Sequence, residues 1–226
     1  MNEKTAQFSL RGLFQPRDLT EGTPWKTILA FALPIIISYL LQQVYTISDA
    51  AIVGQTLTAG EVAGVNDTTS IIFIFLQFAF GVSAGFCVVT AAEVGAHHEA
   101  GVRRSLAAQI LLSAALTVLL TGLALLLLKP MLAWINVTPE SPEVYRAAHT
   151  YCAIIFAGIG AQLFYNFICS FLRSMGDSVT PLLFLLFSTI LNIGLDLLFI
   201  VSFHWGVAGA AIATVAAQLI LSLIHI

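Results

Sequence analysis

Residues 27–53 read TILAFALPIIISYLLQQVYTISDAAIV, a run in which Asp49 is the one formally charged side chain. At about 1.5 Å per residue, a helix of this length crosses the roughly 30 Å hydrocarbon core of a bilayer. The pattern recurs along the chain. Further apolar runs cover residues 62–94, 104–128, 143–172 and 181–203, and a sixth starts at 206 and runs into the C-terminus. Strands of a membrane barrel would be about ten residues long with alternating polarity, and no such alternation is present. The expected fold is all-α, a polytopic membrane protein with a bundle of six transmembrane helices over residues 27–220.

Composition leads to the same class. Of the 226 residues, 58% are hydrophobic and 9% charged, against about 25% charged in an average soluble domain. Mean hydropathy is +0.94. So few charges cannot cover a soluble surface, which excludes an ordinary soluble enzyme and a disordered chain. A net charge of -3 supplies no basic patch, and no nucleic-acid partner is expected. Cys87, Cys152 and Cys169 each sit in an apolar run, without C-x-x-C or disulfide spacing, and read as small buried hydrophobes.

Finer organisation follows from the breaks. The second span is expected to be interrupted at Gly81 and Gly85, with Asp67 near its start complementing the helix dipole. The third is expected to end at Lys129-Pro130, with a short interfacial amphipathic piece over 131–137. His97-His98 beside Glu99 reads as a solvated turn. Residues 1–26 are polar, lack a cleavable signal peptide and form a separate N-terminal segment, so the first span itself directs insertion. With six spans, Lys4, Arg11, Arg17, Lys26, Arg103, Arg104 and Arg173 fall on one side, and Lys129 and Arg146 on the other. The positive-inside rule then places the N-terminus in the cytoplasm and the protein in the cell (inner or plasma) membrane. The last six residues, 221–226, end an apolar run without a polar flank and read as a non-native scar on a chain that naturally continues.

Two acids decide the functional reading. A charge at mid-bilayer costs roughly 2.5–3.5 kcal/mol on insertion scales, so an intramembrane acid is a functional candidate by default. Asp49 in the first span and Asp196 in the fifth have no Lys or Arg within their helices. Each must face water, hold a cation, or carry a proton; the bland alternative is a hydrogen bond to a neighbouring helix. Counted from the cytoplasmic ends, Asp49 lies about 33 Å and Asp196 about 22 Å along its helix, which puts both in the outer half of the membrane. Tyr45 lies four residues before Asp49, and Asn192 four before Asp196, so each acid has a polar neighbour on its own helix face. Pro34 interrupts the hydrogen bonding of the first span, as a static kink or as a hinge. No Walker loop, H-E-x-x-H or Ser-His-Asp arrangement appears, so no enzymatic activity and no cofactor is expected.

Four motifs stand in order on these helices. Leu33-Pro34-Ile35 with Gln43 to Asp49 and Val53-Gly54 resembles the first helix of the multidrug and toxic compound extrusion (MATE) family. Leu172-Arg173-Ser174-Met175-Gly176-Asp177-Ser178-Val179-Thr180-Pro181 is similar to that family's loop between helices four and five. Asn192 to Asp196 resembles its helix-five motif, and Trp205 to Thr214 its entry to helix six. The resemblance covers residues 19–220 and implies the first half of a twelve-helix transporter, with a C-terminal six-helix half as its missing partner. It implies secondary antiport: export of amphiphilic or cationic small molecules in exchange for Na+ or H+. It also implies a cation- or proton-binding cluster of Tyr45, Asp49, Tyr151, Asn166, Asn192, Asp196 and Thr214, with Pro34 as the helix hinge. Asp196 would be the main carboxylate and Asp49 its partner. Asn166, Asn192 and Thr214 would add neutral oxygens, and the two tyrosines would position or line the site. Two rivals remain. One is a flippase of the same superfamily moving lipids or lipid-linked sugars, and the other is an inactive fragment. No Lys or Arg lies mid-helix in the bundle to hold a pyrophosphate, which favours cationic or neutral cargo.

Overall fold

The computed structural model describes residue 19 and residues 22–224. Most of the polar N-terminal segment and the final two residues of the expected scar lie outside them. The chain forms α1 (Pro24–Thr56), α2 (Ala59–Gly95), α3 (Glu99–Trp134), α4 (Pro142–Ala157), α5 (Ile159–Ser174), α6 (Val179–Asp196) and α7 (Gly206–Ile224). A π-helical stretch, Leu197–Ser202, continues α6. There is no strand among the described residues. Four segments are long and apolar enough to cross a membrane: α1, α2, α3, and α6 with its π-helical extension. A fifth crossing is the pair α4–α5, bent by 47°, and α7 is a shorter apolar helix. The protein is a multi-pass membrane protein whose lipid-facing shell is apolar. Leu126, Val118 and Leu111 are more than two-thirds exposed, as expected where the surrounding solvent is hydrocarbon.

α2 is the central helix, packed by α3, α4 and α5. Its approach to α4 depends on Gly60, Gly64 and Thr68, spaced four apart. A Cβ on Gly64 would lie 2.6 Å from the Val144 carbonyl oxygen. Small residues at this spacing let helix backbones close up where lipid supplies no hydrophobic drive. Phe75 and Phe156 meet across the same interface with tilted rings and centroids 5.0 Å apart. α1 stands apart from this core and packs chiefly on α6.

The structure corrects four expectations. α2 runs unbroken through Gly81 and Gly85, because a backbone amide in hydrocarbon has no water to replace its helical partner. The acid in its first turn is Glu61, which completes a capping box with Thr58, and Asp67 lies two turns further in. α3 runs through Lys129-Pro130 to Trp134, so there is no separate piece over 131–137. Leu120, Ala124, Leu128 and Leu132 form a buried stripe at four-residue spacing. Continuing that stripe compensates for the one hydrogen bond that Pro130 removes. Finally, the span over 143–172 is two helices broken at Gly158. A Cβ there would collide with Val215 on α7.

A polar ladder pins α2 to α3. Gln109 donates to the Phe86 carbonyl at 2.9 Å and to Thr90 Oγ1, and accepts from Cys87 Sγ at 3.3 Å. Thr90 and Ser105 hydroxyls share a hydrogen bond of 2.7 Å. At the α2–α3 turn, His98 Nδ1 meets Glu93 Oε2 at 2.7 Å. All three cysteines are buried and free.

Candidate ion-coupling site

The site forms where α1, α4, α6 and α7 meet. Asp49 comes from α1 and Asp196 from the last residue of α6. The two carboxyl groups lie close enough to interact electrostatically. Asp196 is 0% exposed and Asn192 1% exposed. Asp196 Oδ1 and Oδ2, both polar atoms of the Asn192 side chain, and Asp49 Oδ1 are buried without a protein partner. Each unsatisfied buried polar group costs about 1–3 kcal/mol, more if charged. Two carboxylates facing each other in such a place repel unless a proton or a cation lies between them.

The neighbours are hydroxyls. Tyr45 Oη lies 3.4 Å from Thr214 Oγ1, joining α1 to α7. Tyr45 is also within electrostatic range of both acids. Tyr151 on α4 lies within range of Asp49, Tyr45 and Asp196. The structure therefore brings together Tyr45, Asp49, Tyr151, Asp196 and Thr214, with Asn192 one helical turn before Asp196. Asn166 stands differently. It is buried on α5, its amide nitrogen reaches no acceptor, and no hydrogen bond ties it to the acid pair. Pro34 lies inside α1, far along the helix from Asp49. The Ser38 hydroxyl donates to the Pro34 carbonyl at 2.8 Å, so the local backbone oxygen is satisfied.

The oxygens of Asp49, Asp196 and Asn192 form a hard donor set, of the kind that suits an alkali or alkaline-earth ion rather than a soft metal. Among the described residues no cluster of three or more His, Cys, Asp or Glu side chains could hold a metal.

Sequence reasoning missed the backbone that presents Asp196. The helix widens into the π-helical stretch one residue later. Leu197 N donates to both Gly194 and Ile193 carbonyls, and Trp205 N reaches back to the Phe199 carbonyl. The wide turn fits because α7 offers Gly209, whose Cβ would sit 3.1 Å from the Phe199 carbonyl carbon and oxygen. Phe199 and Trp205 then stack at 5.0 Å. The aromatic spacing Phe199, Phe203, Trp205 is the only signal of this in the sequence. The loop motif before α6 proves to be a cap: Asp177 Oδ1 accepts from Val179 N and Thr180 N at 3.1 and 2.9 Å, and Gly176 adopts φ 84°.

The family model described as MatE matches residues 34–198, a segment that holds both acids. The chain belongs to the MatE family. It is 32% identical over 207 residues to the probable multidrug resistance protein YpnP of Bacillus subtilis, covering 89% of this chain and 44% of that one. Its fold superposes on an outward-facing multidrug resistance MATE transporter of the MOP superfamily with a TM-score of 0.84 at 27% identity, covering 91% of this chain and 45% of that one. A MOP superfamily transporter from Pyrococcus furiosus matches with a TM-score of 0.83 at 26% identity, again over 91% and 45%. The chain thus spans about half the length of the relatives it matches. Both of those solved structures are described as transporters.

Proposed function

We propose that this chain is the N-terminal six-helix half of a secondary multidrug antiporter that exports amphiphilic or cationic small molecules in exchange for Na+ or H+. The observation that carries the proposal is the approach of Asp49 and Asp196, from two different helices, with no cationic side chain paired to either among the described residues. A pair of this kind binds a cation or a proton in one state and releases it in another. The binding energy is then available to shift an equilibrium between two packings of the bundle. Asp196, fully buried, is the principal carboxylate and Asp49, half-buried, its partner. Asn192 and Thr214 supply neutral oxygens, Tyr45 and Tyr151 hold the walls, and Asn166 acts from the flanking helix. Pro34 is the point at which α1, loosely attached except to α6, bends when the pair changes state. A second six-helix half supplies the opposite wall of the substrate path. By the positive-inside rule the N-terminus is cytoplasmic and the protein resides in the cell membrane. The absence of Lys and Arg from the middle of every described helix supports cationic or neutral cargo over a pyrophosphate-bearing lipid.

The test is cation-driven efflux of a fluorescent organic cation by the complete transporter carrying this half. The antiporter reading requires that Asp196→Asn abolish coupling while the protein still assembles in the membrane. Efflux at the wild-type rate in that variant would falsify it.

A further inference from the structure

Lys129 and Arg146, the two basic residues set apart by the sequence, converge on one cavity. It has a volume of about 420 Å³ and is lined by Lys129, Tyr145, Arg146, His149 and Thr150, with Pro139 and Pro142 as its frame. That is within the range of small-molecule sites, about 300–1,000 Å³. The other described cations, Lys26, Arg103, Arg104 and Arg173, lie at the opposite end of the helices. Among the described residues neither Lys129 nor Arg146 forms an ion pair. Glu143, one turn before Arg146, accepts from the hydroxyl of Thr58, the N-cap of α2, and lines a neighbouring cavity with Glu61 and Arg146. Glu140, in the connecting loop, does not line the cavity.

The surroundings fit a negatively charged group at a membrane interface. α3 ends at Trp134, which is 83% exposed, and exposed Trp concentrates at the headgroup level. The chain then turns through Asn136 at φ 61°, and Pro139 of the connecting loop lines the cavity. α4 starts at Pro142, so the cavity also meets the positive end of that helix. Tyr145 and Thr150 add neutral hydroxyls, and His149 lies 6.0 Å from Tyr145, ring to ring.

The geometry points to a binding site for the phosphodiester headgroup of an anionic phospholipid, held between Lys129 on α3 and Arg146 on α4. This goes beyond the antiport reading and does not depend on it. Arg146 offers the planar, multi-donor contact that phosphate oxygens accept, and Lys129 a mobile point charge. A lipid held there would bridge the ends of α3 and α4.

The experiment is native mass spectrometry of the purified full chain in detergent, titrated with phosphatidylglycerol and, separately, phosphatidylcholine. The expected result is a phosphatidylglycerol adduct whose apparent affinity falls about 25-fold in Lys129→Gln/Arg146→Gln, at roughly fivefold per cation. The charge-matched control Arg103→Gln/Arg104→Gln should stay within about twofold of the parent, which a specific site demands. Arg146→Gln alone keeps the test available if the double variant does not fold, and Arg146→Lys should restore part of the binding. The proposal fails if the Lys129 and Arg146 variants retain the lipid, or if the control loses it equally. It also fails if millimolar inorganic phosphate displaces the lipid from the parent, because the occupant is then a free anion.

Discussion

The hydroxyls of Tyr45 and Thr214 lie 3.4 Å apart and join α1 to α7 directly beside the acid pair. α1 packs chiefly on α6 and has few other attachments, so this contact helps fix the distance between Asp49 and Asp196. Tyr45→Phe should weaken apparent cation affinity about three- to tenfold, as expected for loss of one hydrogen bond worth about 0.5–1.5 kcal/mol. Thr214→Val should do the same, and the double variant should be little worse than either single change. Cation-dependent efflux in the complete transporter measures it; fully additive losses would show that the two hydroxyls act separately.

Asp49→Asn and Asp196→Asn should differ in degree. Asp196 is fully buried, and neither of its oxygens has a protein partner. Its loss removes the principal ligand, and coupled transport should fall by at least about a hundredfold, the scale of a charged buried interaction. Asp49 is half-buried, and its neutral variant should keep a residual, weakened response. Titrating efflux against external cation separates the two; equal losses would remove the assigned hierarchy.

Gly158 allows α7 to reach the α4–α5 bend, where Val215 occupies the place of a Cβ. Gly158→Ala should destabilise the protein by about 1–3 kcal/mol, the usual cost of overpacking. Val215→Ala, added to it, should recover most of that loss. Thermal unfolding in detergent is the measurement, and an absence of rescue would locate the strain elsewhere.

Gln109 links Cys87, Thr90 and the Phe86 carbonyl between α2 and α3. Gln109→Ala should cost about 1–2 kcal/mol, the upper range for polar contacts between membrane helices once their partners are left bare. By contrast, His98→Ala should change stability by less than about 1 kcal/mol, because a surface contact of this kind competes with water. His98 and Glu93 have side chains 63% and 33% exposed. Unfolding curves of the two variants side by side should rank them in that order.

The bundle class was legible in the sequence because spanning helices announce themselves by length and by the exclusion of charge. Asp49 and Asp196 were legible for the same reason, each being a charge where charges are costly. The interruptions were misread. Gly81 and Gly85 resemble breaks but lie in an unbroken helix, and Pro130 resembles a terminus but lies inside α3. Gly158, unremarked in an apolar run, is the real break. A glycine ends a helix only if something else compensates the lost backbone bonds or demands the close approach, and that something is on another helix.

What the sequence by itself determined is the solvent of this protein and the residues able to carry charge through it. Hydropathy is a sum over neighbours in the chain, and it decides which segments enter lipid without reference to any other segment. Only the tertiary structure decided that Asp49 meets Asp196, that Tyr45 meets Thr214, and that Asn166 is not hydrogen-bonded to the acid pair. These depend on the rotation of each helix about its axis, and on the π-helical stretch that changes that rotation after Asp196. Close contacts between helices set both, at Gly64 on α4, Gly158 on Val215 and Gly209 on Phe199.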